Sequence, residues 1–213
     1  MSINVNALKE PVSIIGAGGH GHVIASIICA LEGESYVEGF YDESKEVQGK
    51  VIFGRVVKDI ANLREQCLAV VAIGNNEARE QIVKKLEGYV RWATLVHPTA
   101  WICNDIELGK GSVVCAGAIV QPGVKIGSHT ILNTGCRVDH HSSISNFSHI
   151  GPSCTLCGNV NIQEKCFIGA SSVVRQGIVI GAEVTVGCGG AVVKDIPRGW
   201  TVVGVPAKQI LKS

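Results

Sequence analysis

Histidines near the middle of the chain are the strongest candidates for acid–base chemistry. His140 and His141 directly follow Asp139, and His149 comes nine residues after His140. Imidazole can accept and return a proton near neutral pH, which is the property a general base needs. A carboxylate beside an imidazole can also orient the ring. We therefore predict that Asp139, His140 and His141 form a catalytic group.

A glycine-rich turn near the N-terminus is the second candidate site. Gly16-Ala17-Gly18-Gly19-His20-Gly21 lies between a predicted strand at residues 12–16 and a predicted helix at residues 22–31. Glycines let backbone N–H groups approach an anion at a helix N-terminus, where the helix dipole favours negative charge. This order predicts a phosphate site. The alternative is a turn that only packs the helix against the strand.

Two acidic residues follow the next predicted strand. Residues 36–41 predict this strand, and Asp42 and Glu43 stand at its end, at the spacing where an acid commonly binds a ribose. The predicted elements that follow are a strand at 68–73, the turn Gly74-Asn75-Asn76, a helix at 77–86 and a strand at 90–93. Roughly 90 residues hold only half of a double Rossmann sheet. We therefore predict a mononucleotide or a nucleotide-sugar as the ligand.

A six-residue repeat fills the second half of the chain. An aliphatic residue recurs at every sixth position from Ile102 to Val192 without a miss. This period suits neither a helix nor an alternating strand, but it suits a chain that forms a short strand and then turns a corner. Three hexads make one triangular coil. We therefore predict a left-handed parallel β-helix of about five coils, with the aliphatic residues pointing inward.

Two further sets of residues fit this prism. Small residues stand mostly four places after the aliphatic ones, where we expect them to fill the space near each corner: Ser112, Ala118, Thr130, Cys136, Ser142, Ser148, Cys154, Cys166, Ser172 and Gly190. Glycines fit the turns: Gly109, Gly127, Gly151, Gly169, Gly181 and Gly187. The predicted organisation is a half-Rossmann α/β domain at residues 1–95 and a left-handed β-helix at residues 96–213, with a short C-terminal extension.

Composition excludes several classes of function. The chain has 19 basic and 18 acidic residues, without the basic patch that nucleic-acid or anionic-membrane binding requires. The N-terminus lacks a signal peptide and no segment is apolar enough to span a membrane, so we expect a soluble, cytoplasmic protein. Nine cysteines are an odd number, which favours reduced thiols. Cys154 falls at a small inward position and need not face Cys157, so we predict no metal site.

The hexads end in Val203-Gly204-Val205-Pro206-Ala207-Lys208, which resembles the hexapeptide-repeat acyltransferases. The order of the motifs over nearly the whole chain is similar to the nucleotide-linked amino-sugar N-acetyltransferases, closest to those that acetylate UDP-4-amino-4,6-dideoxy sugars in bacillosamine biosynthesis. The motifs are the glycine turn at 16–21, Ala72-Ile73-Gly74-Asn75-Asn76-Glu77, Leu132-Asn133-Thr134, Asp139-His140, Phe147-Ser148-His149 and Cys157-Gly158-Asn159-Val160. Sialic acid O-acetyltransferases are the main alternative, and a nucleotide-binding scaffold or sensor is the alternative outside enzymes.

The resemblance implies a homotrimer in which acetyl-CoA reacts directly with a nucleotide-sugar amine and His140 is the general base. It implies acetyl-CoA contacts at His149, Ala170, Gly187 and Cys188. It implies nucleotide-sugar contacts at Gly18, Gly19, His20, Asp42, Glu43, Gly74, Asn75 and Asn133. UDP is the expected nucleotide, with dTDP and GDP as alternatives. In the bacillosamine enzyme a glutamate follows the catalytic histidine and raises its basicity, whereas this chain has His141. The two alternatives for a carboxylate that supports His140 are Asp139 and a residue of a neighbouring subunit.

Overall fold

The structure is a computed structural model that describes residues 8–210. The chain divides into two compact units, of which one ends at Pro98 and the other begins at Thr99. Within residues 8–210, every helix is too short or too polar to cross a bilayer.

The first unit is built on a parallel sheet. Its strands are β1 (Val12–Ile15), β2 (Val37–Asp42), β3 (Val51–Ile52), β4 (Arg55–Val56), β5 (Lys58–Asp59), β6 (Leu68–Val71), β7 (Arg91–Trp92) and β8 (Leu95–Val96). Its helices are α1 (Gly19–Glu32) and α2 (Asn76–Lys85), with short 3₁₀ helices at Glu34–Tyr36 and Ile60–Asn62. The sheet order is β5-β2-β1-β6-β7, with every pair parallel, while β3 and β4 form a separate antiparallel hairpin. The strand order changes direction at β1 and β6, so their carboxyl ends flank a topological switch point.

Helix α1 begins three residues before the predicted start at His22. Glycine has low helix propensity, which is why the sequence favoured the later start. A Cβ at Gly21 would lie 2.4 Å from the carbonyl oxygen of Gly16, so only glycine permits this approach of the helix to the end of β1. Past this turn, α1 buries one apolar face, including Ile24 and Ile28. The hairpin and β5 were not predicted, since each of their strands is only two residues long and shows no clear alternation.

The second unit consists of short strands joined by corners. The strands are β9 (Trp101–Ile102), β10 (Glu107–Leu108), β11 (Val113–Val114), β12 (Ile119–Val120), β13 (Lys125–Ile126), β14 (Ile131–Leu132), β15 (Arg137–Val138), β16 (Ser143–Ile144), β17 (His149–Ile150), β18 (Thr155–Leu156), β19 (Asn161–Ile162), β20 (Phe167–Ile168), β21 (Val173–Val174), β22 (Val179–Ile180), β23 (Thr185–Val186), β24 (Ala191–Val192), β25 (Thr201–Val203) and β26 (Lys208–Gln209).

These strands form the three faces of a prism. The strand orders are β10-β13-β16-β19-β22, β24-β21-β18-β15-β12-β9 and β26-β25-β23-β20-β17-β14-β11. Each repeat strand pairs in parallel with the strand three hexads later, as Leu108 does with Ile126, and β26 pairs antiparallel with β25. The predicted fold class, a half-Rossmann domain followed by a left-handed parallel β-helix, is confirmed.

The inward aliphatic row forms the core of the prism. Every member from Val114 to Val192 is buried. Ile102 and Leu108 were predicted to be inward as well, but they are only half-buried. Both belong to the first coil, which has a neighbouring coil on one side only.

The row of small residues does more than fill space, because its hydroxyl groups connect successive coils. Ser112 Oγ donates to the carbonyl oxygen of Gly127 at 2.7 Å and accepts from the backbone N–H of Thr130 at 3.0 Å. The same two bonds recur at Ser142, Ser148 and Ser172. Since these side chains are buried, each hydroxyl satisfies backbone groups that water does not reach.

Replacing Ser112 with alanine is expected to lower the free energy of unfolding by about 1–3 kcal/mol, because a buried carbonyl and a buried N–H lose their shared partner. Urea unfolding at fixed protein concentration measures this. Ser112→Cys is the matched control, since the thiols of Cys154 and Cys166 donate to the equivalent carbonyls at 2.9 and 3.0 Å. The cysteine variant should lose less; equal stability of wild type and the alanine variant would contradict the role of the hydroxyl.

The corners use glycine differently from the prediction. The six glycines assigned to turns are required for close approach between coils; a Cβ at Gly127, for example, would lie 2.6 Å from the backbone nitrogen of Asn146. The left-handed backbone conformation occurs two residues later, and ordinary residues adopt it as well as glycine. The non-glycine residues with positive φ in the prism are His129, His141, Phe147, Ser153, Asn159, Lys165, Ser171 and Glu183.

Candidate functional site

Asp139, His140 and His141 form one corner of the prism, between β15 and β16. Both histidines are exposed, and Asp139 is half-buried. The two rings meet edge to face, with centroids 5.3 Å apart and an interplanar angle of 78°. Their Nδ1 atoms lie 3.1 Å apart, which is hydrogen-bond distance. The structure therefore brings the two predicted histidines into direct contact.

The backbone of this corner is held by the coils on either side. The N–H of His141, which has a φ of 57°, donates to the carbonyl oxygen of Pro122 at 3.0 Å. The carbonyl oxygen of His140 accepts from the N–H of Asn159 at 2.9 Å. Asp139 Oδ1 accepts the backbone N–H of His140 at 2.8 Å. The carboxylate of Asp139 thus stabilises the corner backbone, while the ring of His140 contacts His141.

Glycines of adjacent coils make room for both rings. A Cβ at Gly158 would lie 2.5 Å from Cε1 of His140, and one at Gly123 would lie 3.0 Å from Cδ2 of His141. Sequence reasoning gave neither glycine a role, although Gly158 stands in a quoted motif. Their position could have revealed them, because Gly158 is three hexads after His140 and Gly123 is three hexads before His141.

His149 and Asn133 meet on a different face of the prism. His149 is buried in β17, where Phe167 contacts its ring edge to face at 5.2 Å. Asn133 Oδ1 accepts the N–H of Thr134 at 2.8 Å, so the amide nitrogen faces Nε2 of His149 at 3.0 Å. Nε2 is therefore the acceptor, and neutral His149 carries its proton on Nδ1. The structure places Asn133, predicted for the nucleotide-sugar, beside the residue predicted for acetyl-CoA.

Ala170, Gly187 and Cys188 stack at the corner that follows this face. The N–H of Gly189 donates to the carbonyl oxygen of Ala170 at 2.8 Å, and Cys188 is exposed. Asn133 occupies the same place in the repeat as Gly187, three coils earlier. The predicted acetyl-CoA residues thus follow one edge of the prism, whereas His140 and His141 lie at the next corner along the chain.

A cavity of about 300 Å³ opens at the carboxyl ends of β1, β2 and β6, and Gly16, Asp42, Glu43 and Lys85 are among its lining residues. Asp42 Oδ2 accepts the N–H of Ala17 at 2.8 Å, so it holds the glycine turn. Glu43 forms an ion pair with Lys85. Both predicted acidic residues therefore lie at the switch point, where a ligand of a parallel sheet is expected.

Gly18, Gly19 and His20 lie at the start of α1. Gly18 is the N-cap residue, Gly18 and Gly19 are exposed, and His20 is half-buried. A Cβ at Gly18 or Gly19 would have no atom within 4 Å, so neither glycine is required for packing. The first turn of α1 thus leaves space beside its backbone N–H groups, as an anion site requires.

Arg79 is a residue that sequence reasoning missed. It is buried in α2 and donates to the carbonyl oxygens of Ile73 and Gly74 at 2.9 and 3.2 Å and to Oδ1 of Asn76 at 2.6 Å. Burial lowers the pKa of Arg79 to about 10, which leaves it charged at neutral pH. Asn75 caps α2 through a backbone N–H of the first turn. The turn with the predicted residues Gly74 and Asn75 is therefore rigid.

Two of the buried cysteines are poorly suited to act as nucleophiles, and the described residues contain no metal cluster. All nine are free, and burial raises the pKa of the Cys166 thiol to about 11 and that of Cys154 above its usual value. A raised pKa leaves little thiolate to react. Cys154 is buried and Cys157 half-buried, and within residues 8–210 no three His, Cys, Asp or Glu side chains are placed to hold a metal ion.

Comparison with known proteins agrees with these features. Residues 11–86 match the PglD N-terminal domain family. The acetyltransferase domain of PglB from Neisseria gonorrhoeae, solved with acetyl coenzyme A, is 36% identical with a TM-score of 0.86, over 94% of this chain and 99% of that chain. A variant of the GDP-perosamine N-acetyl transferase from Caulobacter crescentus, solved with CoA and GDP-perosamine, is 31% identical with a TM-score of 0.87, over 96% of this chain and 99% of that chain.

A third relative matches one part of the chain. The UDP-N-acetylbacillosamine N-acetyltransferase of Bacillus subtilis is 36% identical over 110 residues, which are 49% of this chain and 51% of the relative. The two solved relatives exceed 30% identity over nearly their whole length and share the fold. The chain therefore belongs to the hexapeptide-repeat, acetyl-CoA-dependent sugar N-acetyltransferases.

Proposed function

We propose that the protein acetylates the 4-amino group of a nucleotide-linked 4-amino-4,6-dideoxy sugar, with UDP as the nucleotide. The observation that carries this proposal is the exposed His140 imidazole, which is held at a rigid corner by contact with His141. The names of the relatives support a nucleotide-sugar acceptor, since one acts on GDP-perosamine and another on UDP-N-acetylbacillosamine.

His140 acts as the general base in this mechanism. As the sugar nitrogen attacks the thioester carbonyl, its proton passes to His140, and the C–S bond breaks to release CoA as the thiol once a proton is returned. Acetyl transfer is direct, which is consistent with the raised pKa of the buried thiols. General-base action of this kind contributes roughly 10²- to 10⁴-fold to the rate.

The first unit binds the nucleotide in this proposal. The first turn of α1 provides N–H groups for the diphosphate, and the cavity beside Asp42 and Glu43 accommodates the nucleoside. Asp42 uses one carboxylate oxygen for Ala17 and the other for the N–H of Ser44. Each oxygen accepts more than one hydrogen bond, so a ribose hydroxyl can still bind.

We also propose that the working unit is a homotrimer. The candidate acetyl-CoA residues His149 and Ala170 belong to a different edge of the prism from His140. Packing prisms side by side brings different edges of neighbouring copies together, so two chains can complete one site. Sedimentation velocity measures the oligomeric state, and an active monomer would contradict this arrangement.

A panel of acceptors tests the proposed reaction. Thiol release from acetyl-CoA is measured with UDP-, dTDP- and GDP-linked 4-amino sugars and with free and CMP-linked sialic acid. We expect the UDP-linked amine to react fastest and to gain one acetyl group by mass spectrometry. Turnover with sialic acid alone would identify an O-acetyltransferase. Nucleotide binding without turnover of any acceptor would favour the scaffold or sensor.

A further inference from the structure

The contact between His140 and His141 restricts the protonation state of both rings. A neutral imidazole carries one proton, on Nδ1 or on Nε2. Two Nδ1 atoms 3.1 Å apart can form a hydrogen bond only if one of them carries the proton and the other accepts it. If His141 donated, His140 would carry its own proton on Nε2 and could not act as a base there. If His140 donates, its Nε2 lone pair is free.

The surroundings of His141 favour the second arrangement. The edge of His141 that faces Gly123 is the Cδ2–Nε2 edge, since these atoms lie 3.0 and 3.4 Å from a Cβ built at Gly123. The N–H of Gly123 donates to Oδ2 of Asp105 at 3.1 Å, and the Asp105 carboxylate interacts electrostatically with His141. Negative charge there favours a proton on Nε2 of His141 and leaves Nδ1 to accept from His140.

We propose that His141 is the positioning residue of His140: it accepts the Nδ1–H of His140 and keeps the Nε2 lone pair of His140 available to the substrate amine. This inference rests on the proposed function, in which His140 is the base. When His140 takes the proton, the Nδ1–H bond becomes charge-assisted and therefore stronger in the transition state. His141 thus orients the ring of His140, as a carboxylate orients the histidine of a catalytic triad.

Few other titratable groups face the pair. On the same corner, Asp139 accepts the backbone N–H of His140. In the coil directly below, the corner carries the uncharged residues Gln121, Pro122 and Gly123. Two coils below, Asp105 is the charged group, and a hydrogen bond from Cys103 lowers its pKa, so it is ionised at neutral pH. In the coil above, the corner carries the Cys157 thiol with uncharged Gly158 and Asn159.

Two substitutions of His141 separate hydrogen bonding from structure. His141→Asn places Oδ1 where Nδ1 was, and asparagine tolerates the left-handed backbone of this position. We expect its kcat to stay within about threefold of wild type. His141→Ala removes the acceptor, and we expect kcat to fall about 10- to 30-fold with the acetyl-CoA KM unchanged. Equal kcat values for the alanine variant and wild type would overturn the proposal.

His141→Glu provides a readout that a purely structural role would not move. A carboxylate in contact with His140 favours the imidazolium and raises the pKa of the base. The acid limb of kcat/KM against pH should therefore shift upward by about one pH unit. Ser153→Glu is the matched control for the pH profile, because Ser153 occupies an exposed left-handed corner position on the edge that carries Ala170, away from His140. An acid limb that stays in place in His141→Glu would contradict the contact.

A measurement without substrate distinguishes failure of this inference from failure of the proposed function. Nitrogen-15 NMR of the imidazoles in their neutral form reports which nitrogen of His140 carries the proton. We expect Nδ1 in wild type. A proton on Nε2 would overturn the pairing even if amino sugars are acetylated. A proton on Nδ1 in a protein that acetylates no amino sugar would support the pairing and reject the proposed function.

Discussion

Replacing His140 with alanine is expected to lower kcat by at least about 10²-fold and to leave the fold intact. The imidazole is exposed at a corner, outside the buried aliphatic row, so its removal creates no cavity in the core. The loss should therefore reflect chemistry. Steady-state kinetics, with circular dichroism and sedimentation on the same sample, measures both parts of this expectation.

His141→Ala is the matched comparison for this result. Its expected loss of about 10- to 30-fold is smaller, because it removes a hydrogen-bond acceptor rather than the base. Near-normal turnover of the His140 variant would reject His140 as the base. A greater loss of kcat in His141→Ala than in His140→Ala would identify His141 as the base and His140 as its hydrogen-bond partner.

Replacing Asp42 with alanine is expected to raise the KM for the nucleotide-sugar by about 10- to 150-fold, which corresponds to the loss of one charge-assisted hydrogen bond. The acetyl-CoA KM should stay nearly unchanged. The same substitution also removes the acceptor for Ala17 N–H, so part of the effect will come from the glycine turn.

Asp42→Asn separates these two contributions. Its Oδ1 can still accept from Ala17, so it should keep the glycine turn in place while it loses the negative charge and the acceptor for the N–H of Ser44. We expect an intermediate KM. Ala170→Trp should give the opposite pattern, with a raised acetyl-CoA KM and an unchanged acceptor KM. If Asp42→Ala weakens acetyl-CoA binding instead, the assignment is reversed and the first unit binds acetyl-CoA.

The period of the aliphatic row was sufficient to predict the prism, because each inward residue depends on its own place in the hexad. In the first unit, the predicted strands and helices occur in the predicted order, but β3, β4 and β5 were missed. The late start assigned to α1 was wrong, since Gly21 is selected by contact with Gly16 and not by helix propensity. Local sequence reveals a periodic pattern, but it does not reveal a contact between two glycines that the fold brings together.

At the corner with the two histidines, too, the sequence predicted the residues but not their contacts. The types and spacing of Asp139, His140 and His141 identified them as candidates, but their partners are residues three hexads away or neighbours whose orientation depends on the backbone. Asp139 bonds to a backbone N–H, while His141, in the left-handed conformation, contacts the ring of His140, and residue types alone do not reveal either contact. The burial of Arg79 likewise depends on how α2 packs, which a short, highly charged helix does not reveal.

Equivalent corners stack in parallel along the prism, so the same corner position recurs at regular intervals along its axis. Equivalent residues of successive coils are about 4.8 Å apart along its axis, with nearly the same backbone orientation. Moving a histidine pair from positions 140 and 141 to positions 158 and 159 would therefore translate the base by one coil without rotating it. The height of the base along the prism can therefore change in steps of one coil, provided that the next coil carries a glycine where Gly158 makes room for His140.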